Sequence, residues 1–70
     1  MDIEIVCTIN DECIYRGPAW GATDALVNYY CDNSTPNEIY EACCALGDAI
    51  TKNEYYGAYE AFLACDVQSV

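Results

Sequence analysis

The six cysteines are the residues of this chain with the clearest chemistry, and they occur at Cys7, Cys13, Cys31, Cys43, Cys44 and Cys65. An even number of cysteines in a chain of 70 residues is typical of a secreted domain held together by disulfide bonds. A zinc module would instead need close ligand pairs such as C-x2-C, commonly with histidine, and the chain has neither. The sequence therefore predicts a secreted protein with three disulfides and no metal site.

Cys43 and Cys44 are adjacent, and this restricts the pairing. Consecutive residues on a helix point about 100° apart. A bond between the two sulfurs would also need a geometry far from that of ordinary disulfides. The two cysteines should therefore have different partners. Spacing alone does not choose among the pairings that remain.

The charge of the chain excludes several classes of partner. Twelve acidic residues and two basic ones give a formal net charge of -10. Nucleic acid and anionic membrane surfaces attract clusters of lysine and arginine, which Arg16 and Lys52 cannot form. The sequence also has no run of about 18 apolar residues, so we expect no insertion into a membrane.

Catalysis has little support in the sequence. There is no histidine to act as a general base near neutral pH, and cysteines committed to disulfides cannot act as nucleophiles. Carboxylates such as Asp11 and Glu12 could do acid–base chemistry, but in so acidic a chain we expect them to be solvated. We therefore expect no enzymatic activity and no cofactor.

The elements that position these residues begin with a helix in the middle of the chain. Thr35 and Pro36, followed by Glu38, form a capping pattern, and Gly47 is typical of a left-handed stop. These signals predict a helix over 36–46.

Two further helices follow from similar signals. Thr51 and Glu54 form a second capping box, which predicts a helix over 52–66. A cap at Thr23 or at the next residue predicts a helix over 24–32. We expect the loop between the N-terminal segment and this helix to cover 10–22.

The N-terminal segment has the period of a strand, because Ile3, Ile5, Cys7 and Ile9 alternate with other residues. A single strand has nothing to pair with in an otherwise helical chain. It could lie extended against the helices, pair with its copy in a dimer, or become helical. The predicted fold of residues 1–70 is thus one all-α domain. It is a small three-helix, disulfide-stabilised bundle with an extended N-terminal segment.

Aromatic residues suggest recognition of another protein, because tyrosine and tryptophan are enriched at protein interfaces. On the helix predicted over 52–66, one face should lie in the core, formed by Tyr55, Ala58, Tyr59, Phe62 and Cys65. The other face is our candidate recognition surface, formed by Tyr56, Glu60 and Leu63. The alternative is that Tyr56 and Leu63 cover a neighbouring segment. Trp20, on a glycine-flanked loop, is either a lid on the core or a further recognition residue.

An acidic, histidine-free chain with six cysteines and three short helices resembles the secreted mating pheromones of ciliates. The resemblance lies in architecture and composition and involves no specific motif. It implies that Cys7 pairs with Cys65, Cys13 with Cys43, and Cys31 with Cys44. It also implies binding to a cell-surface receptor and a capacity to self-associate as a homodimer. We therefore expect a secreted signalling protein that binds a cell-surface protein receptor. The alternative is a secreted effector, toxin or inhibitor that acts on a foreign protein.

Overall fold

The computed structural model describes residues 2–70. Along the chain it has the strands and helices β1 (Asp2–Cys7), β2 (Cys13–Pro18), a 3-10 turn (Ala19–Gly21), α1 (Ala22–Tyr30), α2 (Asn37–Lys52), α3 (Gly57–Leu63) and β3 (Cys65–Ser69). The strands of this part of the chain form one antiparallel sheet in the order β2-β1-β3. The fold is therefore mixed α/β, and the prediction of an all-α three-helix bundle is wrong.

β1 is the central strand of the sheet, and its alternating sequence explains why. Ile3, Ile5 and Cys7 are buried, whereas the residues between them are at least partly exposed. The missing strand partners come from two segments that we had assigned otherwise. β2 lies inside the loop predicted over 10–22, and β3 begins within the helix predicted over 52–66. The N-terminal segment, which we predicted to be extended and without strand partners in the chain, is therefore the central strand of a sheet.

β2 lacks the usual sequence signals of a strand because its last residues are Gly17 and Pro18 and its pairing is irregular. It ends at Pro18, which an edge strand tolerates since that residue has no N–H to donate. A bulge interrupts its pairing with β1 between Ile5 and Val6. The hydroxyl of Tyr15 donates a 2.7 Å hydrogen bond to the Pro18 carbonyl. Such local features are invisible in a hydropathy pattern.

The core lies between one face of the sheet and the packed helices α1 and α2. Its fully buried large side chains are Ile5, Leu26, Leu46 and Cys43. α1 is displaced by two residues at each end from the helix predicted over 24–32. No helix of residues 2–70 has both the length and the hydropathy needed to cross a membrane.

α2 continues well past the predicted stop at Gly47. This glycine is buried inside the helix, and a Cβ placed on it would lie 2.7 Å from Thr23 Cα on α1. Gly47 therefore permits a close approach of two helices, which is a packing role that sequence reading mistook for a cap. The helix ends at Lys52 and is capped by Asn53, whose φ of 57° is left-handed.

We expect Gly47→Ala to lower the free energy of unfolding by about 1–3 kcal/mol, because the Thr23 backbone would have to move. Gly57→Ala is the matched control. Its new Cβ would meet only the hydroxyl end of Tyr55, a side chain that is 87% exposed and free to move. Thermal unfolding followed by circular dichroism measures both. A Gly47→Ala protein as stable as the parent would contradict the close helix approach.

Candidate functional site

An open groove of about 400 Å³ lies between α2 and α3. The α2 side recurs at the spacing of one helix face, and the α3 side consists of small and aromatic residues. The lining residues are Glu38, Glu41, Ala42 and Ala45 from α2, and Ala58, Tyr59 and Phe62 from α3.

The groove exposes apolar side chains that are not buried in the core. Phe62 is 58% exposed and Tyr59 is 39% exposed, although both are large aromatic residues. Ala42 and Ala45 are buried or half-buried and provide a shallow floor, because their side chains are short. Glu38 and Glu41 are exposed and place two carboxylates along the α2 side. The result is an apolar cleft with an acidic rim.

The structure interchanges the two faces that we assigned to the last helix. Four residues of the predicted core face are exposed, namely Tyr55, Ala58, Tyr59 and Phe62. Its fifth residue, Cys65, is buried as expected but lies on β3, and Leu63 from the opposite face is buried at 6% exposure. The cause is the length of α3. It ends at Leu63, the next residue Ala64 is left-handed with a φ of 56°, and the chain then turns back as β3. A short helix held by a strand at its end orients differently from the long free helix that the sequence predicted.

The candidate recognition residues Tyr56, Glu60 and Leu63 therefore lie together on the inner side of α3. Tyr56 is partly buried and packs against the core that contains Leu63. The carboxylate of Glu60 accepts a 2.7 Å hydrogen bond from the backbone N–H of Val67 and so ties α3 to β3. This arrangement matches the alternative in which Tyr56 and Leu63 cover a neighbouring segment.

Trp20 is 79% exposed and lies in the 3-10 turn after β2, on a different element from the groove. It does not cover the core as a lid. The groove itself was not predicted from the sequence. The signal in the sequence was the recurrence of Ala42 and Ala45 beside Glu38 and Glu41 on one helix face. Of these residues, we had interpreted only Glu38, as part of a helix start.

Within the described chain, no two cysteine sulfurs lie at bonding distance from each other. Cys7 and Cys65 are buried and stand directly opposite each other on β1 and β3. Cys43 is also buried, with its sulfur 3.6 Å from the Leu26 carbonyl, and Cys31 is its neighbour. The prediction of three disulfides stays a prediction.

Of the pairs implied by the pheromone resemblance, the structure brings Cys7 and Cys65 together. It does not bring Cys13 to Cys43. Cys13 is exposed on β2, with its sulfur 3.8 Å from a carboxylate oxygen of Glu4, whereas Cys43 faces the core from α2.

Burial controls the acidity of the inner thiols. It raises the pKa of Cys43 to about 12, with a further contribution from the neighbouring Cys31. It also raises the pKa of Cys65 to about 11, and the Glu60 carboxylate adds to the effect. Cys7 differs, because the backbone amide of Ile9 holds the pKa of its thiol below the usual value despite burial. Cys7 is thus easier to ionise than Cys65.

Tyr30 has a buried hydroxyl with no nitrogen or oxygen partner among residues 2–70, and beside it lies the thiol of Cys65, which is only a weak hydrogen-bonding group. Burial raises the pKa of this group, and the nearby thiols of Cys65 and Cys7 contribute. Desolvation of such a hydroxyl costs about 1–3 kcal/mol, and a weak hydrogen bond to a thiol returns little of it.

We therefore expect Tyr30→Phe to leave the melting temperature unchanged or to raise it. Tyr15→Phe is the control, because the Tyr15 hydroxyl donates to the Pro18 carbonyl and its loss should cost about 1 kcal/mol. Differential scanning calorimetry of both variants gives the comparison. A marked loss of stability in Tyr30→Phe would mean that its hydroxyl has a partner, such as a bound water.

A metal centre has no support in the geometry, since no group of three or more Cys, Asp or Glu side chains in the described residues is arranged to hold an ion. What the arrangement offers is a surface for binding and, on the inner side of the sheet, a pair of facing thiols. The chain matches no family model, no curated protein and no solved structure.

Proposed function

We propose that this protein works by binding another protein, and that the groove between α2 and α3 takes a basic amphipathic helix of the partner. The observation that carries the proposal is an apolar cleft with two rim carboxylates, Glu38 and Glu41, on a chain of net charge -10. A secreted signalling protein that binds a cell-surface receptor is the role we favour. A secreted effector or inhibitor would use the same surface on a foreign protein.

The apolar part of the groove suits a helix. Helix-in-groove recognition places side chains from one face of the ligand, spaced three and four residues apart, into a hydrophobic cleft. Tyr59 and Phe62 can act as aromatic anchors, which are frequent hot spots of binding. The short side chains of Ala42 and Ala45 allow the ligand backbone to come close.

The charge of the groove selects between occupants. A second copy of this chain would bring another net charge of -10 towards the first, so the homodimer implied by the pheromone resemblance is disfavoured at this surface. A ligand with lysine or arginine beside its apolar stripe would instead pair with Glu38 and Glu41. Complementary charge also speeds the encounter and gives specificity. The partner class is therefore a basic one.

The proposal is tested by titrating the protein with a synthetic amphipathic peptide that carries leucines on one helix face and lysines on the other. We expect saturable binding, and a loss of about 30-fold in Phe62→Ser, which is the equivalent of about 2 kcal/mol for a hot-spot aromatic residue. Trp20→Ser is the matched control and should bind as the parent does, since Trp20 is even more exposed than Phe62 but lies outside the groove.

Both substitutions remove exposed aromatic side chains, so the melting temperature should change little in either variant. A peptide in which glutamates replace the lysines should not bind. No saturable binding of the lysine peptide up to millimolar concentration, or equal losses in Phe62→Ser and Trp20→Ser, would overturn the proposal.

A further inference from the structure

The register of β1 and β3 places Cys7 and Cys65 in a particular kind of cross-strand pair. In an antiparallel ladder, pairs that exchange backbone hydrogen bonds alternate with pairs that do not. The N–H of Thr8 donates to the Ala64 carbonyl at 2.9 Å, so the pair next to the two cysteines is a hydrogen-bonded one. Cys7 and Cys65 therefore form a non-hydrogen-bonded pair.

This pairing has the dimensions of a disulfide. Opposite residues in a non-hydrogen-bonded pair have α-carbons about 4.5 Å apart, which lies within the usual range of disulfide-bonded cysteines. Both side chains point to the same face of the sheet, because Cys7 and Cys65 are directly opposite and both are buried. A bond between their sulfurs would need little movement of either backbone.

We propose that Cys7 and Cys65 are a redox-active dithiol that hydrogen peroxide converts into a cross-strand disulfide, with Cys7 as the attacking sulfur and Cys65 as the resolving one.

The turn after β1 explains why Cys7 attacks first. The N–H of Cys7 donates to the Glu12 carbonyl at 2.8 Å, and the N–H of Asp11 donates to the Cys7 carbonyl at 2.9 Å. This closed turn directs the amides of Ile9 and Asn10 towards the Cys7 sulfur, where they stabilise the thiolate. At Cys65, burial and the Glu60 carboxylate together raise the pKa of the thiol by more than the hydrogen bond from the Tyr30 hydroxyl lowers it, so this thiol stays protonated.

The reaction balances in two steps. The Cys7 thiolate attacks one oxygen of hydrogen peroxide, the O–O bond breaks, and the hydroxide that leaves takes up a proton as water, so Cys7 becomes a sulfenic acid. The Cys65 sulfur, losing its proton, then attacks the Cys7 sulfur and expels the hydroxyl as a second water. Both sulfurs are oxidised and the peroxide is reduced. A dithiol reagent reverses the change by thiol–disulfide exchange.

The burial and charge of the site favour this oxidant over a larger one. Cys7 and Cys65 are only 4% and 5% exposed, which admits a small molecule more readily than a peptide disulfide. The net charge of -10 also repels anionic disulfides such as oxidised glutathione, whereas hydrogen peroxide is neutral.

The positions of the two basic residues allow the disulfide to be identified by tryptic digestion. Trypsin cuts after Arg16 and Lys52 and releases three peptides, 1–16, 17–52 and 53–70, of which the last contains Cys65 as its only cysteine. The reduced chain is treated with equimolar hydrogen peroxide, blocked with iodoacetamide, unfolded and digested, and the peptides are measured by mass spectrometry. We expect 1–16 joined to 53–70, with a mass two hydrogens below the sum of the two peptides plus one carbamidomethyl group on the free Cys13.

Peptide 1–16 also contains Cys13, so the variants Cys13→Ser and Cys7→Ser assign the bond. The crosslink should persist in Cys13→Ser, disappear in Cys7→Ser, and be lost in the parent on treatment with dithiothreitol. A crosslink that needs Cys13, a crosslink of 53–70 to 17–52, or sulfinic acid at Cys7 with no crosslink would each overturn the proposal.

Discussion

Closing the bond between Cys7 and Cys65 is expected to raise the melting temperature by about 15–30 °C. The bond would join β1 to β3 and enclose nearly the whole chain, and a loop of that length corresponds to about 4 kcal/mol of stabilisation in the chain-entropy model. In a domain of this size, each kcal/mol shifts the midpoint by about 4–8 °C. The register of the strands predicts little native strain to offset this gain.

The measurement uses a variant that keeps Cys7 and Cys65 and replaces the other cysteines with serine or, at the buried position, alanine. Its melting temperature is compared between the oxidised and the reduced form, so the cost of the replacements cancels. The same variant carrying Cys65→Ser is the control and should show no shift on oxidation. An oxidised form that melts within a few degrees of the reduced form would show that the bond strains the sheet or does not form.

Sequence reasoning succeeded where a periodic pattern has one physical solution. The alternation of Ile3, Ile5 and Cys7 indicated an extended segment, and the structure makes it the central strand. The helix predicted over 24–32 was correct within two residues at each end, because an apolar stripe such as that of α1 is a local property.

The failures concern interactions between segments. Gly47 is typical of a helix end by its type alone, and only the approach of Thr23 from α1 shows that it is needed inside α2. Thr35 had the position of a cap, yet its hydroxyl closes a turn by accepting a 2.7 Å hydrogen bond from the Asp32 N–H. β3 was absorbed into a predicted helix because the left-handed residue that separates them is Ala64, which carries no sequence signal for such a conformation.

The groove was unpredictable for a related reason. A helix face with Tyr59 and Phe62 has the period of a core face, and nothing local distinguishes it from the face that contains Leu63. Two contacts decide which face of α3 is buried. Glu60 accepts a hydrogen bond from β3, and Leu63 packs in the core. The exposed apolar surface on α3 thus follows from the sheet that the sequence did not reveal.

If the rim carboxylates select the partner, Glu38→Lys combined with Glu41→Lys should reverse the charge preference of the groove. Each exposed pair with a ligand lysine is worth up to about 1 kcal/mol, and reversal replaces attraction by repulsion at both positions. We expect binding of the lysine peptide to fall by roughly 30-fold or more at low salt, and the difference from the parent to shrink as salt is added. The doubly substituted protein should instead bind the peptide in which glutamates replace the lysines.

The control for this reversal is the variant Asp2→Lys with Asp66→Lys, which changes the net charge of the chain by the same amount. Asp2 and Asp66 are exposed residues of β1 and β3, away from the groove that α2 and α3 form. If the peptide senses only the overall field of an acidic chain, the two variants will weaken binding equally. A much larger loss in the Glu38 and Glu41 variant, measured by isothermal titration calorimetry at two salt concentrations, would place the contact at the groove, because charges beyond about 10 Å are largely screened at 0.1 M salt.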